Sequence, residues 1–193
     1  MNRILLPSLI LAGLLGGCER PPAPDTPPRA AEPAPSSAVA PAKVASGDAN
    51  WQGYGQLQLG IGAEQLRTLW PGELQGDVVA DGGCYYLSPA GEGDARPFFM
   101  IEGNRFVRYD LRSSAAPAPG GGTVGMDLAQ LQALYPHADA PQPHKYVAGG
   151  KVLRVPAAEG GAGVLVIELD ADGKASAWRL GLPPQVDYVE GCG

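Results

Sequence analysis

The 193-residue chain is poor in the side chains that most often carry catalysis or bind metals. It has two histidines, His137 and His144, and three cysteines. The histidines lie in a proline-rich stretch with no cysteine nearby, so we expect surface loop histidines and no metal site. No serine has the Gly-x-Ser-x-Gly context of a hydrolase nucleophile, and no lysine follows the glycine run 120–122 as a phosphate-binding loop requires. The sequence therefore predicts no catalytic residue, no metal, no cofactor and no enzyme.

Positive charge is also scarce. The chain has 14 Lys and Arg against 20 Asp and Glu, a net charge of −6, and the excess of acid falls in residues 51–193. Nucleic-acid-binding domains carry basic patches, and docking on anionic lipid needs basic clusters. We therefore expect no nucleic acid partner. The acidic balance is compatible with a basic protein partner, although acidic residues also serve solubility alone.

The chain also lacks a hydrophobic run long enough to cross a bilayer, which needs about 20 residues. Residues 4–15 form a shorter apolar stretch, typical of a secretory signal peptide. This stretch ends in the sequence LGGC at residues 15–18, which resembles the lipobox of bacterial lipoproteins. The resemblance implies a signal peptide at residues 1–17 and a diacylated Cys18 that anchors the protein in a lipid membrane. Because Glu19 and not aspartate follows, it also implies the outer membrane. An ordinary signal peptide with a chance cysteine is the alternative.

Composition divides the remaining chain into a tether and a head. Residues 18–50 are rich in proline and alanine and contain no aromatic residue, so they bury too little apolar surface to offset the entropy of ordering. Prolines favour an extended chain of about 3 Å per residue, which suits a disordered tether. The folded head is expected at residues 51–193. Within it we expect one repeat at about 51–112, a second at about 123–182, and a C-terminal tail at 183–193.

Two cysteines remain once Cys18 is assigned to the lipid. Cys84 and Cys192 form an even pair in an exported domain, which predicts a structural disulfide. A redox-active pair would more typically be a close Cys-x-x-Cys motif. In the chain-entropy model, closing a loop of about 100 residues stabilises the fold by roughly 4–5 kcal/mol. The bond would also pin the tail, because Cys192 is the penultimate residue.

The head contains one short sequence twice. Residues 60–71 read GIGAEQLRTLWP and residues 125–136 read GMDLAQLQALYP. Leucines three residues apart and a closing proline predict a short helix in each segment. Each half then has two apolar runs joined by a polar turn, at 102–104 and 170–173, which predicts an antiparallel hairpin. Because one such unit has a small core, we predict an α+β fold in which two tandem helix-plus-antiparallel-sheet repeats form one domain.

This pattern resembles two kinds of bacterial protein. A glycine turn, a short leucine-bearing helix, a proline and antiparallel strands are similar to the SmpA/OmlA-type outer-membrane lipoproteins and to the two-repeat β-lactamase-inhibitory protein fold. The resemblance is carried by Gly60-Ile61 and Gly125-Met126 with the helices that follow them. Because these families act by binding proteins, the resemblance implies a protein partner. The chain departs from the assembly lipoproteins in having two units where they have one, and it is otherwise similar to uncharacterised envelope proteins.

Aromatic side chains are the remaining candidates for recognition. Tyr85 and Tyr86 are adjacent, so in a strand they point to opposite faces of the sheet and one of them should be exposed. Tyr146, with His144 beside it, is expected in the matching strand of the second half. We therefore predict a binding patch made of Tyr85, Tyr86, His144 and Tyr146. Ordinary core packing of these residues is the alternative.

Together these features predict a non-enzymatic lipoprotein of the cell envelope. It would be anchored in the outer membrane, face the periplasm and bind another protein there, as an inhibitor, an immunity-type protein or an envelope scaffold. Two alternatives remain. One is a carbohydrate- or peptidoglycan-binding module whose exposed tyrosines stack on sugar rings. The other is an envelope hydrolase with a carboxylate site that the sequence does not mark.

Overall fold

A computed structural model describes residues 49–93, 95–157 and 161–193. The predicted signal peptide, Cys18 and the predicted tether as far as residue 48 lie outside the described residues. Within them, no helix is long and apolar enough to cross a membrane.

The described residues form eleven strands and two α-helices. In chain order these are β1 (Ala49–Asn50), β2 (Gly53–Tyr54), β3 (Leu57–Gln58), α1 (Ala63–Leu69), β4 (Leu74–Gln75), β5 (Tyr85–Pro89), β6 (Phe98–Glu102), β7 (Arg105–Leu111), α2 (Leu128–Leu134), β8 (Gln142–Pro143), β9 (Lys151–Pro156), β10 (Val164–Leu169) and β11 (Ala175–Gly181).

Eight of the strands form one antiparallel sheet in the order β4-β5-β6-β7-β11-β10-β9-β8. Strands β1 to β3 form a small separate sheet. The long strands β7 and β11 are the central pair, in which Tyr109 lies opposite Leu180 and Leu111 lies opposite Trp178. This pairing joins strands from the two halves of the sequence into a single sheet.

The predicted hairpins are present as β6–β7 and β10–β11. In the turn between β6 and β7, Gly103 and Asn104 have φ values of 58° and 60°. This left-handed conformation is tolerated best by glycine and asparagine, and turns of this kind match the twist of the flanking strands.

The predicted fold class, an α+β fold of two tandem helix-plus-sheet repeats, is wrong. The structure is a sheet-rich, mostly antiparallel fold. Each helix has seven residues, and α1 buries only Ala63 and Leu66 while α2 buries only Leu131. Helices this short are marginal on their own and depend on packing against other elements. The shared sheet, and not a helix in each half, therefore organises the core.

One face of the sheet packs against both helices and forms the core. Aromatic rings on this face contact each other edge to face, with Tyr109 5.7 Å from Trp178 and Phe99 5.5 Å from Phe106 between ring centroids. Their polar atoms are satisfied as well, since the Trp178 indole N–H donates to the Ala116 carbonyl at 3.1 Å. The opposite face of the sheet, which we call the second face, carries charged side chains.

Candidate functional site

The second face carries charged side chains from the middle of the sheet. Along a strand, side chains alternate between the two faces, so the residues next to core positions point to the second face. Arg108 and Asp110 lie on β7 in this way, Arg179 lies on β11 and Glu168 lies on β10. The two arginines are 3% and 4% exposed. Buried guanidinium groups need ionic and hydrogen-bond partners, because burying an unpaired charge is very costly.

Each buried arginine has a carboxylate partner on the same face and a backbone partner in the tail. Arg108 Nε donates to Asp110 at 3.0 Å, and its Nη1 donates to the carbonyls of Gln185 and Tyr188 at 3.1 and 2.6 Å. Arg179 donates to Glu168 and, from Nε, to the carbonyl of residue 186 at 2.7 Å. Two buried cations therefore hold the tail, residues 183–193, on the second face.

Apolar packing and a covalent bond hold the tail in the same place. Val186 is fully buried and packs against Val164 and Val166 of β10. The predicted disulfide between Cys84 and Cys192 is confirmed, with the two Cα atoms 5.2 Å apart. It ties the last turn of the tail to the start of β5. The tail is therefore packed against the second face and is part of the folded structure.

The ionisable groups below the tail respond to burial in different ways. Burial raises the pKa of Asp110 above its usual range, although the hydrogen bond and charge of Arg108 act to lower it. Burial also acts to raise the pKa of Glu168, but Arg179 and, to a smaller extent, His144 outweigh it, so that pKa is lowered. Burial, followed by the charge of Asp110, raises the pKa of Tyr86 to about 12. Glu168 is therefore an anion and Tyr86 a neutral phenol near neutral pH.

A cleft of about 410 Å³ opens between the tail and strands β5 to β7. Its lining includes Tyr86, Phe98, Asp110, Arg112, Val189 and Glu190. The Phe98 ring stands at the rim and is 37% exposed. The cleft combines apolar walls with a few polar groups, and one of these, Asp110, is already bound to Arg108.

The structure separates the first two residues of the predicted patch. Tyr85 and Tyr86 point to opposite faces of β5, as the alternation requires. Tyr85 is 7% exposed and belongs to the core. Tyr86 is half-buried on the second face and lines the cleft, with its hydroxyl close to Gly191 of the tail. The alternative of ordinary packing therefore describes Tyr85.

The other two residues of the patch, His144 and Tyr146, lie in the loop after β8 and not in a strand as expected. The His144 side chain is only 7% exposed, and its Nε2 is 3.6 Å from Glu168. Tyr146 is 56% exposed, and the Lys145 ammonium lies 4.8 Å from the centroid of its ring. Lys145 also forms an ion pair with Glu190 of the tail at 3.2 Å. This ion pair connects the Tyr146 loop to the residue that also lines the Tyr86 cleft.

Sequence reasoning did not find the two buried arginines. A signal was present, because Arg108 lies between Val107 and Tyr109 and Arg179 lies between Trp178 and Leu180. An arginine flanked by large apolar residues inside a strand points to a sheet face that another element covers. In the described residues, no group of three or more His, Cys, Asp or Glu side chains is placed to hold a metal ion.

Comparisons with known proteins add little to this geometry. No protein-family model matches the chain, and no curated protein matches it. A solved structure with some likeness is an extracellular protein containing an SCP domain from Bacillus anthracis str. Ames, at 10% identity and a TM-score of 0.44. The match covers 65% of this chain and 44% of that one, so the chain spans less than half the length of that protein. A likeness this slight carries no argument about fold or function.

The Glu168→Gln variant should lose stability mainly near neutral pH. Because the folded-state pKa of Glu168 is lowered, its ionised form stabilises the fold above the usual carboxylate range. That contribution disappears as the pH falls through the folded-state pKa. We expect a loss of about 1.5–3 kcal/mol in the free energy of unfolding near pH 7, the range for hydrogen bonds to charged groups. Urea unfolding at several pH values measures it.

The matched control is Glu73→Gln, since Glu73 is exposed. Exposed positions of this kind usually change stability by no more than about 0.5 kcal/mol. The assigned ion pair would be contradicted if Glu168→Gln lowered the free energy of unfolding by the same amount at pH 7 and at about pH 3, which is below the usual carboxylate range.

Proposed function

We propose that this protein is a protein-binding module whose binding surface is the second face with its attached tail. The observation that carries the proposal is the position of its exposed apolar side chains. Phe98 is 37%, Tyr146 56% and Val147 37% exposed, and these are half of the six large apolar side chains that stand exposed among the described residues. Phe98 lies at the cleft beside the tail, and Tyr146 and Val147 belong to the loop that Lys145 joins to the tail.

The composition of this surface suits a protein partner. Aromatic and arginine side chains most often contribute the main binding energy at protein interfaces, and here Phe98 and Tyr146 are accompanied by the exposed Arg112. The scaffold below them is held by the disulfide and by the two buried arginines. A rigid surface loses less conformational entropy on binding than a flexible one. These features favour a preformed docking site.

The buried carboxylates favour binding over catalysis. Asp110 and Glu168 each bind an arginine, and hydrolysis of a glycosidic bond needs a carboxylic acid and a second carboxylate free to face the substrate. The pKa of Tyr86, at about 12, leaves its hydroxyl protonated near neutral pH. We therefore propose a protein that is not an enzyme and that acts as an inhibitor or a scaffold.

We further propose that the protein works in the cell envelope as a lipoprotein. The sequence LGGC at residues 15–18 supports acylation at Cys18, and Glu19 supports sorting to the outer membrane with the head in the periplasm. The disulfide between Cys84 and Cys192 supports export, because disulfides persist in oxidising compartments.

Affinity capture from periplasmic extract with residues 19–193 tests the binding surface. We expect one stoichiometric protein partner. The Phe98→Ala and Tyr146→Ala variants should each weaken its binding by about tenfold or more, because truncating an interface anchor commonly costs above 1–2 kcal/mol. The matched control is Leu134→Ala on α2, which removes an apolar side chain of similar exposure, 42%, on the other side of the sheet.

Two results would contradict this assignment. A partner that tolerates both face variants but not Leu134→Ala would place the interface on the helical side. Retention of glycan fragments without any protein would show that the exposed aromatic rings recognise sugar.

Metabolic labelling with palmitate tests the membrane anchor. The wild-type chain should incorporate the label, and Cys18→Ser should remain an unlabelled and uncleaved precursor, since the acylated residue is missing. Cys84→Ser is the control and should still be labelled. Cleavage and release of Cys18→Ser as a soluble protein would instead indicate an ordinary signal peptide.

A further inference from the structure

The loop that presents Tyr146 is closed on a single imidazole nitrogen. The backbone N–H groups of Tyr146 and Val147 both donate to Nδ1 of His144, each at 3.1 Å. The ends of the loop are held by backbone hydrogen bonds from His144 to Gly150 and from Gly150 to Val147. The side chain of His144 therefore acts as the internal acceptor of a turn, as Asp or Asn side chains often do.

These hydrogen bonds show which of the two ring nitrogens carries the hydrogen in neutral His144. A nitrogen that accepts hydrogen bonds offers its lone pair, so the neutral imidazole carries its hydrogen on Nε2. Nε2 faces Oε2 of Glu168 at 3.6 Å, and the other oxygen of Glu168 binds Arg179. The ring thus lies between the loop on one side and the buried ion pair on the other.

We propose that His144 is a positioning residue for the Tyr146 surface, and that its protonation opens the loop and weakens partner binding at acidic pH. This inference rests on the proposed function for its binding consequence. A second proton on the imidazole can bind only at Nδ1. The protonated Nδ1 cannot accept from the N–H groups of Tyr146 and Val147, because three hydrogens would then converge on one another. The proton and the closed loop compete for the same lone pair.

The charged groups around the ring come from five parts of the chain. Glu168 of β10 faces Nε2, and Arg179 of β11 lies behind that carboxylate. Lys145 is on the loop itself and forms an ion pair with Glu190 of the tail. Lys151 of β9 lines the hollow beside the loop. Glu168 is the carboxylate nearest to the ring, so an imidazolium at this position would face its negative charge. The exposed Tyr146 and Val147 can then give their N–H groups to water as the loop opens.

Nuclear magnetic resonance of the ring nitrogens tests this directly on the chain of residues 19–193. When the pH is lowered from about 8 to 5, protonation of His144 should convert Nδ1 from an acceptor to a protonated nitrogen. The amide signals of Tyr146 and Val147 should shift with the same midpoint, and their amides should lose protection from hydrogen exchange. His137, which is exposed, is the internal reference.

Two variants separate this role from a merely structural one. His144→Asn places a carboxamide oxygen near the position of Nδ1 and cannot be protonated, so it should keep both amides protected over the whole pH range. His144→Ala removes the acceptor and should show the open loop at every pH. Protonation of His144 with unchanged Tyr146 and Val147 amides would overturn the proposal. The same pH-dependent loss of protection in His144→Asn would also overturn it.

Affinity for the captured partner supplies the functional readout. Binding by the wild type should fall by about tenfold between pH 7.5 and pH 5.5, a coupling of ordinary size, while His144→Asn should change much less. A parallel fall in both proteins would overturn the binding consequence. A complete lack of a partner would overturn the proposed function instead, and the two failures are distinct because the resonance titration needs no partner.

Discussion

The second face depends on the burial of two guanidinium groups. Arg108 and Arg179 rise from β7 and β11, the central pair of the sheet, and both are almost fully buried. A charge in this position must be neutralised and its N–H groups must find acceptors. Asp110 and Glu168 supply the negative charge, and carbonyls of residues 185, 186 and 188 supply the remaining acceptors. The tail lies against the second face because its carbonyls accept hydrogen bonds from both buried arginines.

Two carboxylates, Glu168 and Glu190, connect the tail with the proposed binding surface. Glu168 is shared, because one oxygen binds Arg179 under the tail and the other faces His144 under the Tyr146 loop. Glu190 is shared in a similar way, since it lines the cleft beside Phe98 and forms an ion pair with Lys145. The two exposed aromatic regions are therefore connected through polar contacts at the tail. A partner that touches both would also lie close to Glu190 of the tail.

Local patterns predicted the hairpins well but not the order of the strands in the sheet. The polar turns of the hairpins follow from short-range chemistry and are present in the structure. The Cys84–Cys192 disulfide spans 108 residues, and it was predicted because only these two cysteines remained to pair. The fold class was wrong because the pairing of Tyr109 with Leu180 joins strands far apart in the sequence. Alternation placed Tyr85 and Tyr86 on opposite faces but could not show which face was the core. Tyr146 lies in a loop because β8 has only two residues, the second of which is a proline without a backbone donor.

Hydrogen exchange of the tail is the most direct test of this account. If Arg108 and Arg179 hold the tail on the second face, the amides of residues 186–188 should be protected to a degree comparable with those of β7 and β11. The measurement uses the oxidised chain of residues 19–193. Tail amides that exchange as fast as an unstructured peptide, while β7 and β11 remain protected, would contradict the account.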